Sequence, residues 1–355
     1  MNGAAPLRRM TVSAIVACYN EVGSIALMHR RLSAVLSELA YDYELIFVEN
    51  GSRDASRALL ETLADADPHV HVIVLSRNFG SQAAFSSGLD YATGDCAVLL
   101  DGDLQDPPEV VPSLLAKWEE GYEVVYGERA TRRASLPLRL AYKAFYRLFS
   151  RLSYLNIPVD AGDFGVMDRR VIDVVNAMPE RDRFLRGLRA WAGFKQCGVT
   201  YHRDARHAGR TTNSVLGLFR WAFTGIISFS FAPLELISLL CIFVIGLTGI
   251  ALVVYMTLFF VTPGSPRGFQ TLLVAVLFLG AVQLLSLSII GTYVAKIFEE
   301  VKGRPRYVVD KVLHRSRAAT NGGREAFAES TLGGDDVAAH LPANATARSA
   351  PLRHR

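Results

Sequence analysis

The sequence predicts an α/β domain built on a mostly parallel, doubly wound (Rossmann-like) sheet and followed by a hairpin of two transmembrane helices. Three observations carry this. Short β-branched runs alternate with helix-periodic segments through the first hundred residues. Polar segments stand at the end of each run, where such sheets bind ligands. Two apolar stretches, 234–261 and 271–295, are each long enough to cross roughly 30 Å of hydrocarbon. With 355 residues, 50% of them hydrophobic, the chain has room for a large core and a membrane-bound part besides.

Taken in order, residues 1–10 read as an N-terminal tail. Its two arginines lead only into the apolar run 11–18, which Asn20 and Glu21 close at once, so a buried strand is expected there and not a signal peptide. Strands are expected at 12–17, 44–48, 70–75 and 97–100, with helices between them at 25–39, 56–63 and 82–91. The polar segments beyond the strands are Tyr19-Asn20-Glu21, Glu49-Asn50-Gly51-Ser52, Ser76-Arg77-Asn78 and Asp101-Gly102-Asp103. They form the expected rim of a binding site. This domain is expected to span 11–212. Within it, at 136–155, Arg139, Lys143, Arg147 and Arg151 recur every fourth residue beside Leu140, Ala144, Leu148 and Leu152. A helix there carries a basic stripe next to an apolar one, which suits either a solvated surface or the anionic headgroup layer.

A juxtamembrane segment, 213–232, leads to the transmembrane pair within 233–297, whose spans carry one acid between them, Glu235, near an end. The connector at 262–268 is turn-rich and holds one positive charge. Arg220 precedes the first span, and Lys296, Lys302, Arg304 and Arg306 follow the second. The positive-inside rule therefore puts the α/β domain and both termini of a multi-pass cell-membrane protein in the cytoplasm. Residues 298–314 continue as a cytoplasmic segment, and 315–355, rich in Ala, Gly, Thr and Arg without periodicity, are expected to be a disordered tail. Gly246, Gly249 and Gly280 would let the spans pack between subunits of a homo-oligomer.

The net charge is only +4, but arginine gathers at 129–151, 181–210 and 304–317, which points to phosphate groups or anionic membrane lipid as partners. No helix-turn-helix, RNP or zinc-finger spacing accompanies it, so nucleic acid is not expected as a partner. Cys18, Cys96, Cys197 and Cys241 stand far apart, with no C-x-x-C pair. Reduced core thiols are expected, and neither a zinc site nor a disulfide framework.

Asp101 and Asp103 follow the apolar run 97–100, which puts two carboxylates at a strand's end with Gly102 letting the backbone turn. Hard oxygen ligands at that spacing suit Mg²⁺ or Mn²⁺ bridging phosphates. Acidic pairs also build plain Asx-turns, and D-x-D alone leaves both readings open. The longer string Asp101-Gly102-Asp103-Leu104-Gln105-Asp106-Pro107-Pro108-Glu109 is far more specific.

That string, together with Tyr19-Asn20-Glu21 and an acidic-Gly-Ser turn after the second strand, resembles the family 2 glycosyltransferases. Within them it is most similar to the polyprenyl-phosphate glycosyltransferases, the group of dolichol-phosphate mannose synthase and the bactoprenol glucosyltransferases. The resemblance runs over about residues 10–310 and takes in Ser76-Arg77-Asn78-Phe79-Gly80, Gly162-Asp163-Phe164, the segment from Phe184 to Trp191 and both spans. It implies a GT-A fold and the inverting, metal-dependent transfer of one hexose from a nucleotide sugar to polyprenyl (undecaprenyl or decaprenyl) phosphate, at the cytoplasmic face of the membrane. The product would be a lipid-linked sugar donor for the cell envelope. Glucose from UDP-glucose is the expected donor, with GDP-mannose, UDP-GalNAc and UDP-aminoarabinose types as alternatives.

By the same resemblance Asp101, Asp103 and Gln105 match the positions around the metal and diphosphate. Tyr19, Asn20 and Glu21 match the nucleoside-proximal loop, with Glu49, Ser52, Asp54 and Asn78 beside it. Asp163 matches a position near the anomeric carbon and, with Asp103, is the candidate catalytic carboxylate. Asp160 competes with it, and a loop-capping Asp is the structural alternative. An acceptor phosphate is already ionised at neutral pH, so Asp163 is expected to position sugar hydroxyls or stabilise positive charge at C1. Arg129, Arg203, Arg206 and Arg210 fall in phosphate-contacting segments, where the guanidinium fork suits lipid phosphate and diphosphate. Trp191 is expected to pack in the core, with stacking on the sugar as the other reading.

Two departures stand out. The family's Asp-Asp-Gly-Ser is Glu49-Asn50-Gly51-Ser52 here, which keeps one carboxylate as an acceptor for a base N–H, with uridine favoured. Its Gly-Glu-Ser-Lys-Tyr is replaced by Gly209-Arg210-Thr211-Thr212-Asn213-Ser214, in which Arg210 could restore the positive charge. A processive polysaccharide synthase would show Q-x-x-R-W, but Gly217 stands where Gln would precede Arg220-Trp221, and two spans make no channel. A catalytically silent membrane scaffold would have lost the metal ligands, which are present.

Overall fold

The computed structural model describes residues 9–130, 161–181, 183–203, 232–261 and 268–314. The basic helix expected at 136–155, the segment up to 231, the connector at 262–267 and the tail beyond 314 lie outside the described residues, as do Asp160, Arg206 and Arg210.

The first half of the domain alternates strand and helix as the periodicities require. Its elements are β1 (Thr11–Cys18), α1 (Ile25–Ser37), β2 (Asp42–Glu49), α2 (Ser56–Ala66), β3 (Val70–Leu75), α3 (Ser81–Tyr91) and β4 (Cys96–Asp101). A short 3₁₀ turn at Pro108–Val110 opens α4 (Val111–Glu119), and then come β5 (Val124–Arg129), β6 (Ala161–Asp168), α5 (Arg169–Ala177), α6 (Leu185–Trp191) and β7 (Gln196–Tyr201). The chain continues into two long helices, α7 (Ala232–Val261) and α8 (Phe269–Val301), and closes on β8 (Val309–His314).

The eight strands form one sheet in the order β7-β5-β6-β4-β1-β2-β3-β8. Four of its pairings are parallel, β1 with β2 and β4, β2 with β3, and β5 with β7. β4 with β6, β6 with β5, and β3 with β8 are antiparallel. Side chains alternate across the sheet, so both faces need cover. Val12, Ala14, Val16, Leu45 and Phe47 pack under Met28, Leu32, Leu60 and Leu114 of α1, α2 and α4. Ile15, Ile46, Val48 and Leu99 pack on the other face under Phe85, Leu89, Ile172 and Leu188 of α3, α5 and α6.

β8 was expected only as a cytoplasmic segment. It is instead an edge strand, reached after the helix pair, that covers β3 and brings the chain back to the sheet it left. α7 and α8 contain both expected spans. α8 runs on past 295 because Lys296, Glu299 and Glu300 end the hydropathy signal without being poor helix formers. A helix pair in the core of a soluble protein would be covered. Here Leu236, Phe243 and Ile250 are 63–64% exposed, and the apolar windows 234–251 and 278–301 are 6% and 0% buried. The cysteines divide: Cys18 and Cys96 are core thiols as expected, whereas Cys197 is half-buried on β7 and Cys241 is exposed on the apolar face of α7.

Candidate active site

Parallel register sets the site. Cys18 pairs with Glu49, and Ala17 with Asp101, so β1, β2 and β4 end at one level and their loops open side by side. The β1 and β2 loops are tied to each other. Asn20, at φ +55°, donates its N–H to Ser52 Oγ (3.0 Å) and accepts at Oδ1 from the Arg53 N–H (2.7 Å). Glu21 donates its N–H to Ser56 Oγ (3.0 Å), and Val22 donates to Asp54 Oδ2 (3.3 Å). Burial would raise the Asp54 carboxyl, but the hydrogen bonds it receives from Ser56 and Val22 hold it below the usual carboxylate range. Tyr19 is half-buried at the foot of this loop.

Glu49 is buried, and its carboxylate accepts the N–H groups of Gly51 (3.2 Å) and Ser52 (2.5 Å). Asn50 is buried as well and is wholly used inside the protein. It accepts from the Phe79 N–H (3.0 Å) and donates to Gly80 O (3.2 Å) and Asn78 Oδ1 (3.4 Å). Asn78 in turn accepts the Gly80 N–H at 2.8 Å. The substituted amide thus staples the β2 loop to the β3 loop. At Gly51, with φ +69°, a Cβ would lie 2.4 Å from the Arg77 carbonyl carbon, so this crossing admits only glycine.

Asp101, half-buried at the end of β4, receives no hydrogen bond or ion pair among the described residues. Burial foremost, then the negative charges of Asp106, Asp103 and Asp163, push its carboxyl up to about 7, with Arg203 pulling the other way. Asp103 is buried and accepts the Gln105 N–H at 3.1 Å, so the Asx-turn exists alongside the carboxylate pair. The turn itself is made at Leu104, a buried residue at φ +60°, and not at Gly102 as expected. Gly102 is needed for a different reason: its N–H donates to Ala17 O (3.0 Å), and a Cβ there would stand 2.9 Å from that oxygen. Among the described residues no three His, Cys, Asp or Glu side chains gather into a cage. The residues present fit a cation whose remaining ligands come from elsewhere, since among the described residues Asp101 is a carboxylate that no hydrogen bond or ion pair engages.

Asp163 lies on β6, antiparallel to β4, so it caps no loop. Its carboxylate is clamped by Arg186, through Nε to Oδ1 at 2.9 Å and Nη2 to Oδ2 at 3.1 Å, and by Gln82 Nε2 to Oδ2 at 3.0 Å. Burial works against ionisation, but the charges of Arg186 and Arg189 and the Gln82 bond hold this carboxyl below the usual range. Gln82 also accepts the Leu185 N–H (2.8 Å), fixing α6 against α3, while the buried Arg189 donates to Gly162 O at 3.0 Å.

Arg203 reaches one further acid directly, and Arg129 is linked to it through Tyr201. Asp106, fully buried, accepts from the Tyr201 hydroxyl and forms an ion pair with Arg203 Nε at 3.3 Å, and Tyr201 also bonds to Arg129. The Nε–H groups of both arginines are buried without an aligned hydrogen-bond acceptor. Trp191 is 56% exposed at the end of α6, which overturns its expected place in the core: α6 is short, and its inner face is taken by Leu185, Leu188 and Arg189. Gln82, Asp106, Arg186, Arg189 and Tyr201 were not among the candidates. Arg186 and Arg189, three apart on a helix, share a face, and Asp106 follows Gln105 directly, so spacing was the available signal.

The sequence model described as glycosyl transferase family 2 matches residues 13–175. An uncharacterized glycosyltransferase, YkcC, of Bacillus subtilis (strain 168) is 41% identical over 308 residues, covering 86% of this chain and 94% of that one. A bactoprenol glucosyl transferase of Shigella phage SfII is 36% identical over 306 residues, covering 85% of this chain and 98% of its own. The solved glucosyl-3-phosphoglycerate synthase from Mycobacterium tuberculosis aligns with a TM-score of 0.43 at 21% identity, over 62% of this chain and 79% of that one.

Proposed function

The chain belongs to glycosyl transferase family 2, and from that premise we propose that it moves a single glucose from UDP-glucose to the phosphate of a polyprenyl lipid at the cytoplasmic face of the membrane, with inversion at C1. The observation that carries this reading is the Asp101 carboxylate, which no hydrogen bond or ion pair engages among the described residues, near Arg129 and Arg203, whose buried Nε–H groups have no aligned acceptor, in a chain that also carries two exposed apolar helices. Relatives named bactoprenol glucosyl transferase, alike over nearly their whole length, support the lipid acceptor.

Asp101 and Asp103, with Gln105 beside them, would hold Mg²⁺ or Mn²⁺, which supplies Lewis-acid stabilisation of the departing diphosphate. The β1 and β2 loops, pinned by Ser52 and Asp54, shape the nucleoside pocket, with Tyr19 and Glu49 at its floor. Because Asn50 is spent on Phe79 and Gly80, recognition of the base falls to the other groups of this rim. Asp163, kept ionised by Arg186 and Gln82, is suited to orient sugar hydroxyls and to face positive charge at C1, and unsuited to accept a proton. The acceptor phosphate needs no base. Arg129 and Arg203, with Arg206 and Arg210 from the segment that follows, are proposed to hold phosphate oxygens. Delivery by a membrane-held lipid replaces bulk diffusion with a high effective concentration.

The test is transfer in membranes containing the full chain, polyprenyl phosphate and a panel of labelled nucleotide sugars. Label from UDP-glucose should enter the lipid only with Mg²⁺ or Mn²⁺, and Asp103→Ala should lower the rate by about 10²-fold or more. Undiminished metal-dependent transfer by Asp103→Ala would show the site to be misplaced, and transfer from another donor alone would replace glucose.

A further inference from the structure

Away from the carboxylates, a second group of charges stands where the chain returns from α8 to the sheet. Arg183, in the loop between α5 and α6, is only 5% exposed, yet its Nε and Nη1 have no hydrogen-bond partner. Its Nη2 donates to Val175 O near the end of α5, which accounts for one edge of the guanidinium and leaves the other unused. Arg306, in the linker between α8 and β8, has a buried Nη1 that is likewise unpartnered. Burial first, and then the nearby Arg306 guanidinium, disfavour the charge on Arg183. Asp90 and Glu180 act on Arg183 from a distance, but Asp90 is engaged by the Tyr307 hydroxyl at 2.6 Å and Glu180 is exposed, and neither bonds to the guanidinium. Two neighbouring guanidinium groups thus keep buried N–H donors that no carboxylate of the described residues takes up, and these can be met by the oxygens of an anion.

Position narrows the anion. The Glu300 carboxylate accepts the Arg181 N–H at 3.1 and 3.2 Å, which fixes the last turn of α8 to the loop carrying Arg183. Glu300 lies in the last turn of α8, at the end of the apolar window 278–301, where a membrane span would reach the headgroup layer. Asp90, beside the pair, is eight residues or about 12 Å along α3 from Gln82, which touches Asp163. The acceptor site around Arg129 and Arg203 is therefore a different place.

We infer that Arg183 and Arg306 together bind the phosphate of an anionic phospholipid headgroup, seating the catalytic domain on the bilayer at the joint between α8 and the sheet. The inference rests on reading α7 and α8 as membrane helices. The test is native mass spectrometry of the full chain in mild detergent, titrated with phosphatidylglycerol, for wild type and Arg306→Gln. Wild type should retain one tightly held phosphatidylglycerol, and Arg306→Gln should bind it at least fivefold more weakly. Arg183→Gln should show the same loss where it folds; Arg306→Gln, half-buried and outside the core, decides the matter otherwise. Equal retention by wild type and Arg306→Gln overturns the site. Displacement of the lipid by a hundredfold excess of inorganic phosphate would assign it to a free anion and overturn the lipid. Failure of the wild-type chain to partition into phosphatidylglycerol vesicles would instead overturn the membrane reading beneath it.

Discussion

Asp163 and Asp101 are carboxylates in one cluster with opposite circumstances. Asp163 has three donors on it and is held ionised, so Arg186→Gln should leave a mostly buried charge unpaired. The cost should be about 3 kcal/mol, the low end for breaking a buried pair, because both side chains keep some exposure (12% and 19%). Its pH dependence follows from the lowered folded value. The contribution is present above the unfolded carboxyl value near ~4 and is lost as pH falls through the folded one. Thermal unfolding in detergent should therefore show a wild-type advantage that is flat between about pH 6 and 8 and shrinks below about pH 4. Asp101 has no donor on it among the described residues, and its half-buried charge costs stability when no cation is bound. In chelator, Asp101→Asn should melt at or above the wild type, and added Mg²⁺ should raise the melting temperature of the wild type alone. A lower melting temperature for the amide in chelator would remove the case for a cation there.

At the scale of elements, the joint between linker and sheet can be probed through Tyr307, whose hydroxyl reaches Asp90 from a distant part of the sequence. Tyr307→Phe removes one bond to a carboxylate and should cost about 1–2 kcal/mol in thermal unfolding, with the transfer rate unchanged. A matching fall in transfer at saturating donor would tie this joint to the chemistry. Elements of this kind also mark where the sequence stops being readable. β1 to β4 are flanked by helices, buried on both faces and rich in Val, Ile and Leu, so their runs stand out. β6 reads Ala-Gly-Asp-Phe-Gly-Val-Met-Asp; its two glycines and two acids suggest a loop, and only pairing with β4 and β5 makes it a strand. β8 alternates acid, base and apolar residues, as a partly solvated edge strand does, and its partner β3 is more than 230 residues earlier. The site divides the same way. Asp101, Asp103 and Asp163 lie in short local strings, whereas Gln82, Arg186 and Tyr201 gain meaning only from the packing of α3, α6 and β7 around them.

For the whole molecule, the return of β8 constrains how the chain can cross a membrane. β7 lies at one end of the sheet and β8 at the other, and α7 and α8 come between them in sequence. Both ends of the helix pair thus join a single folded body, which requires an even number of crossings whatever the charges of the flanks. Two helices with exposed apolar faces are long enough to supply two crossings, if both span the bilayer. The arginines and lysines after α8 agree with this geometry independently, through the positive-inside rule. If the sheet is cytoplasmic and both helices cross, the turn between them must emerge on the far side. Ser265→Cys, with Cys197 and Cys241 replaced by serine, should react with a membrane-impermeant maleimide on intact cells. Asp310→Cys, on exposed β8, should react only after permeabilisation. Labelling of both positions only after permeabilisation would mean that the helix pair enters the bilayer without crossing it. The acceptor lipid would then have to reach the carboxylates along the surface of one leaflet, with no transmembrane anchor to hold the site at headgroup depth.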